Sequence, residues 1–224
     1  MLGLPRERMR DFQSWANMII ESGELETVKK GILNSTQYLR EVMAERKNNL
    51  GDDLLSFAIK AEVDGRKLNE EELLGYAFNF FLGGLDTVTA HTGNIVRHLA
   101  TNLDDQRYLR ENPDKIKAAV EEFMRAYAAV TTYRTCKKEV VINGITMKPG
   151  DKVALVTTLA GRDRDVFDEP HTVKLDRNPR HMSFATGPHT CLGLHLARRE
   201  LRIAIEEIFK AVSYTHLRAH ETRP

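Results

Sequence analysis

The chain has 224 residues, with 33 Lys+Arg against 32 Asp+Glu, 42% hydrophobic residues and 29% charged ones. That is a globular composition, long enough to bury roughly 70% of its unfolded surface, and it excludes a disordered or supercharged chain. A formal net charge of +1 gives no electrostatic reason to expect nucleic acid or an anionic membrane as partner.

Two cysteines, Cys136 and Cys191, are too few for a disulfide framework. Neither sits in a Cys-x-x-Cys or His-x-x-His spacing, so no structural zinc is expected and a reducing compartment is the default. The most apolar stretch, Leu73 to Leu85, is interrupted by Asn79 and falls short of the roughly 20 apolar residues of a membrane span. No signal peptide is visible after Met1. The chain reads as a soluble, cytoplasmic protein.

In chain order, helical periodicity comes first. Pro5 to about Ile20 carries Met9, Phe12, Trp15, Ala16 and Ile19 at spacings of three and four, and a second helix is predicted from about Leu25 to Lys47. Asp53 to Ala61 predicts a short helix, followed by a turn at Asp64-Gly65-Arg66. Asn69 with Glu72 three residues on reads as a capping box, opening one uninterrupted helix to about Asn102. At about 1.5 Å per residue it would span on the order of 45–50 Å, enough to cross a whole domain. Gly83-Gly84 near its middle weakens it, since each Gly costs roughly 1 kcal/mol relative to Ala.

Leu103 to Glu111 predicts a short helix, and Asn112-Pro113 an N-cap and first-turn Pro for a helix over Asp114 to Tyr127. Two strands around Asn143-Gly144 read as a hairpin, and Lys148-Pro149-Gly150-Asp151 turns the chain into a strand from Lys152 to Thr157. Asp163 to Arg180 reads as loop, and Leu192 to about Val212 as a final helix. Ser213 to Pro224 lose the apolar periodicity and read as an unpacked tail, a candidate foreign junction.

The segment Phe184-Ala-Thr-Gly187-Pro-His189-Thr-Cys191-Leu-Gly193 carries the most chemistry. A cysteine just before a helix has its thiolate favoured by unsatisfied backbone N–H groups and the helix dipole, so Cys191 is a ligand or nucleophile candidate. The plain alternative is a buried structural thiol. Glu122-Phe-Met-Arg125 places a carboxylate and a guanidinium three residues apart, ordinarily a surface pair of little energy. Gly83-Gly84-Leu85-Asp86-Thr87 places small residues beside an acid and a hydroxyl, ordinarily an exposed helix face. A Thr hydroxyl can also perturb the helical ladder and hold water.

Together these three segments resemble the cytochrome P-450 family. Phe184, Gly187, His189, Cys191 and Gly193 match its haem loop, Glu122 and Arg125 its Glu-x-x-Arg pair, and Gly83 to Thr87 its small-Gly-x-acid-Thr motif. The resemblance is greatest to the bacterial soluble branch that includes camphor monooxygenase. It implies a mainly α fold with a small β region, the C-terminal part of the cytochrome P-450 fold truncated at both ends, over residues 1–212.

It further implies haem b as cofactor, with Cys191 as axial iron ligand, Arg134 and His189 at the propionates, and Asp86 and Thr87 managing protons. Glu122 and Arg125 become a structural clasp, and Asn79, Leu82, Val130 and Thr132 face substrate. Arg198 and Arg199 are candidates for the surface where an acidic redox partner docks; solvated arginines are the alternative there and at Arg134. The implied activity is monooxygenation of a small apolar molecule with O₂, with electrons from NAD(P)H through a ferredoxin. The motif departs at Ala185, where the family usually places Gly, whose backbone angles Ala accepts poorly. Two other readings are an inactive truncated fragment without haem and, on Cys191 with His189, a thiol enzyme lacking an orienting third group.

Overall fold

A computed structural model describes residues 1–212; the tail reading at 213–224 lies outside the described residues. The chain divides into two compact units, Met1–Asp86 and Thr87 onward.

The first unit is built from helices α1 (Met9–Ile20), α2 (Leu25–Asn48), α3 (Leu54–Lys60) and α4 (Glu70–Leu85), with a two-stranded ribbon of β1 (Glu62–Val63) and β2 (Arg66–Lys67). A short 3₁₀ turn at Arg6–Arg8 leads into α1. Phe12, Leu39, Leu55, Ala77 and Phe81 meet in its core, where each large apolar side chain contributes about 1.5–3 kcal/mol by burial. The expected capping box is present: the Asn69 side chain accepts from the Glu72 N–H, and the Glu72 carboxylate accepts from the Asn69 N–H. Together they satisfy two backbone donors that the helix start would leave without partners.

The predicted helix over 69–102 is interrupted. α4 ends at Leu85, Asp86 lies between helices at φ −100° and ψ −45°, and α5 (Thr87–Thr101) begins at the next residue. Gly83 and Gly84, which lack any side-chain preference for helix, immediately precede the break.

The second unit adds α6 (Leu103–Glu111), α7 (Ile116–Ala126), strands β3 (Thr131–Thr135), β4 (Val140–Ile142), β5 (Ile145–Met147) and β6 (Lys152–Val156), the single turn α8 (Thr157–Ala160) and α9 (Leu194–Ala211). Pro113 starts a 3₁₀ turn before α7, as a first-turn Pro should, and Asn112 is its N-cap residue, but the Asn112 side chain makes no capping hydrogen bond. The Asn112 amide instead donates back to the Tyr108 carbonyl at 2.9 Å, serving the end of α6.

The hairpin around Asn143-Gly144 forms as expected, both residues with positive φ. β6 pairs antiparallel with β3, Thr132 opposite Leu155 and Arg134 opposite Val153. β3, like the two-residue strands β1 and β2, was not marked by sequence patterning: every residue in it is exposed, so no apolar alternation announces it.

The core of this unit gathers Ile95 and Leu99 of α5, Phe123 of α7, and Leu201 and Ile205 of α9. Val88, next to Thr87, and Leu194, three residues after Cys191, both pack against it.

Candidate haem-thiolate site

Phe184 is buried in the core, 8% exposed, and its carbonyl accepts the Cys191 N–H at 2.8 Å, closing the loop. A 3₁₀ turn over Gly187–His189 lies within the loop, and Leu194 then opens α9. Cys191 is free of disulfide and exposed, and Leu192 beside it is 70% exposed.

The loop turns through two residues of positive φ, Gly187 at 62° and Ala185 at 55°. For a residue with a Cβ the left-handed region costs roughly 1–2 kcal/mol. Ala185→Gly is therefore expected to raise stability by about 1 kcal/mol, part of the gain being offset by greater freedom in the unfolded chain. An unchanged or lower denaturant midpoint would contradict this.

On α7, Glu122 and Arg125 form a fully buried pair, both side chains 0% exposed. Arg125 Nε and Nη2 donate to the carboxylate at 2.8 and 2.7 Å. Its remaining hydrogens reach the carbonyls of Gly161, Pro170 and Thr172 at 2.6, 2.7 and 3.1 Å. A side chain at Gly161 would collide with the Arg125 carbonyl, so that approach requires glycine.

The sequence reading missed a third member of the clasp, Arg177, whose Nε lies 3.2 Å from the Glu122 carboxylate. Its Nη1 donates to the Asp168 carbonyl at 2.6 Å. Burial is the strongest influence on Glu122 and opposes its charge, but hydrogen bonds from Arg125 and the Lys174 N–H, with the charges of Arg125 and Arg177, hold its carboxyl below the usual range. A group of this kind stabilises the fold above its ordinary titration range, and that contribution is lost as pH falls through its lowered folded value.

The remaining predicted residues divide between the two units. Asn79, exposed, and Leu82, half-buried, lie on α4, with half-buried Asp86 at its end. Thr87 opens α5, and its carbonyl accepts from His91 Nδ1 at 2.8 Å. His91 is 5% exposed and its Nε2 has no hydrogen-bond partner among the described residues. Burial, ahead of all other influences, lowers its pKa, which favours the neutral ring. Its position i+4 from Thr87 was the available signal.

Val130 is half-buried; Thr132 and Arg134 are exposed on the same face of β3. Arg134 donates only to the neighbouring Tyr133 carbonyl, at 2.9 Å, and has no ion pair among the described residues. His189 is also exposed.

These observations fit a haem. One accessible thiol, presented by a closed loop, is the donor that haem iron takes in this kind of site. An exposed cation and an exposed imidazole are available to carboxylates, and exposed Leu192 offers apolar surface to a macrocycle.

Comparison with family models matches residues 18–222 to cytochrome P-450. The chain belongs to the cytochrome P-450 family. Its members bind haem b, and this chain carries their fold, mainly α with a small β region. A "Probable cytochrome P-450 127A1" of Sinorhizobium fredii is 34% identical over 92% of this chain and 50% of its own length. A vitamin D(3) 25-hydroxylase of Pseudonocardia autotrophica is 32% identical over 93% and 53%. The solved Bacillus subtilis cytochrome P-450 PksS superposes with a TM-score of 0.86 at 30% identity, covering 96% of this chain and 58% of that one. The chain thus spans about half the length of the curated relatives it matches.

Around α9, Lys117, Glu121, His195, Arg198, Arg199 and Arg202 line a surface cavity of about 320 Å³. Arg198, expected as a docking cation or a solvated one, is already engaged: Glu121 accepts from its Nε and Nη2, both at 2.7 Å. Lys117 and Arg199 have no ion-pair partner among the described residues. No described helix is long and apolar enough to cross a membrane.

Proposed function

We propose that this P-450 chain carries the haem-thiolate centre of a cytoplasmic monooxygenase that oxidises a small apolar organic molecule. The observation that carries the reading is the exposed, unpaired Cys191 on a loop closed to Phe184 just ahead of α9. Bound there, haem supplies oxygen activation, with the thiolate donating electron density that favours O–O cleavage.

The other roles belong to the chain's own side chains. Cys191 holds the iron as thiolate. Arg134 and His189 neutralise the propionates, and Glu122 with Arg125 and Arg177 keeps the segment ahead of the loop in place. Asp86 passes protons to Thr87, whose hydroxyl holds a water at the reaction centre. Asn79, Leu82, Val130 and Thr132 face the substrate. The names of relatives support an apolar substrate: one is a vitamin D(3) 25-hydroxylase, and another was solved with corticosterone.

Electrons come from NAD(P)H through an acidic ferredoxin. Since Arg198 is neutralised by Glu121, the docking charge falls chiefly to Lys117 and Arg199, with Arg202 sharing a 3.4 Å contact to Glu206.

The test is the difference spectrum of the reduced, carbon monoxide-bound protein. A strongly red-shifted Soret band is expected; a folded 1–224 chain that takes up no haem would favour the inactive-fragment reading instead. For the proton role, Thr87→Ala in the full-length protein is expected to raise hydrogen peroxide release relative to product by about tenfold, a modest effect beside the roughly 10²–10⁴-fold that positioned proton transfer can supply. Unchanged coupling would remove Thr87 from the assignment.

A further inference from the structure

We propose that Glu121 is a positioning residue for Cys191, holding through one carboxylate the two side chains that pack on the Phe184 ring. The proposal deepens the monooxygenase reading and rests on Cys191 as the functional thiolate. Glu121 and Glu122 are neighbours on α7 with separate tasks. Glu122 binds Arg125, the Lys174 N–H and Arg177, and so holds the segment from Gly161 to Arg177. Glu121 binds residues C-terminal to that segment, His181 and Arg198.

His181 Nε2 lies 3.2 Å from Glu121 Oε2, and Arg198 of α9 completes the site with its two donated bonds. Ser183 N–H donates to His181 Nδ1 at 3.3 Å, which leaves Nε2 to carry the hydrogen that Glu121 accepts. The Ser183 hydroxyl donates to the Met124 carbonyl at 2.6 Å, fastening the same segment to α7 a second time.

Phe184 packs against both His181 and Arg198. Its ring lies 5.7 Å from the His181 ring, and the Arg198 guanidinium sits 4.9 Å from its centroid. The Phe184 carbonyl is the acceptor of the Cys191 N–H. One carboxylate therefore fixes two side chains that pack on the residue to which the cysteine's backbone is tied.

His181 is 2% exposed at its side chain and Glu121 15%, so water replaces a lost partner poorly on the His181 side, whereas the Arg198 side chain, 38% exposed, is open to solvent. Burial is the strongest influence on the Glu121 carboxyl and raises it, yet the hydrogen bonds and charges of His181 and Arg198 bring it to about 2. Its ionised form is thus the favoured one.

Loss of Glu121 leaves His181 and Arg198 without their common partner, weakens two of the contacts on Phe184 and loosens its carbonyl against the Cys191 N–H. An ion pair serving only general stability would loosen the whole unit evenly.

Segment-resolved hydrogen exchange on the chain separates the two cases and needs no haem, so its outcome is independent of the carbon monoxide spectrum. Glu121→Ala is expected to speed exchange over 182–192 by about tenfold, the change that loss of a net hydrogen bond's free energy produces. Exchange in β3 and β6 is expected to stay at its original rate. Glu121→Gln, which keeps an oxygen acceptor for Arg198, should recover part of the protection. Arg199→Ala, a change in the same cavity with no bond to Glu121, should leave 182–192 protected. If Glu121→Ala does not fold, Arg198→Ala takes its place, with a smaller acceleration confined to the same segment. Acceleration spread evenly over the second unit, or none over 182–192, overturns the proposal.

Discussion

Arg125→Ala is expected to lower the unfolding free energy of the chain by about 3 kcal/mol, the low end of the roughly 3–5 kcal/mol cost of breaking a buried pair, because Arg177 and the Lys174 N–H stay with Glu122. The side chain is 0% exposed and faces a Glu122 that is equally buried. Its loss also leaves the carbonyls of Gly161 and Pro170 without their guanidinium donor and takes away the cation 5.3 Å from the Phe167 ring.

Against a typical domain stability of about 5–15 kcal/mol, a loss of that size removes a large fraction of the total. Urea or guanidinium unfolding, followed by a probe in the second unit, measures it. Arg125→Lys should recover little, because one ammonium cannot reproduce a fork that donates to a carboxylate and three carbonyls. A loss below about 1 kcal/mol would mean that the pair behaves as an exposed one.

Cys191→Ala is expected to abolish the red-shifted carbon monoxide band while changing stability by less than about 0.5 kcal/mol. The two effects separate because of where the residue lies. Cys191 is exposed, makes no disulfide, and holds its loop through the backbone N–H to the Phe184 carbonyl, which Ala retains. Only the sulfur is lost, and the sulfur is the proposed iron ligand. A spectrum that keeps the band would exclude Cys191 as the ligand; a large stability loss without spectral change would make it a structural thiol. Comparing the two substitutions distinguishes the residue that binds from the residues that hold the loop in place.

Much of this was legible in the residues. The capping box at Asn69 and Glu72 was readable because capping is local, using atoms three residues apart. The hairpin turn at Asn143-Gly144 was readable because positive φ selects those residue types. The loop from Phe184 to Gly193 was readable as a motif, and its one departure, Ala185, falls at a position of positive φ.

Other features were not. β3 escaped because its residues are all exposed and its evidence is a partner about twenty residues away. Arg177 and His181 escaped because charged and polar residues in a loop carry no period, and their partners lie more than fifty residues back on α7. The break at Asp86 escaped because the apolar pattern runs on through it.

The sequence by itself determined the family, the iron-ligand candidate and most helix limits, since these depend on residue types at short, fixed spacings. Only the tertiary structure decided that Glu122 and Arg125 are buried and not solvated, that Arg198 is tied to Glu121 and not left to a partner, and that Glu121 and Glu122 hold successive stretches of chain. The physical reason is that a charge's role depends on what surrounds it. Burial removes water and makes each partner necessary, and which side chains replace that water is set by elements far apart in the chain.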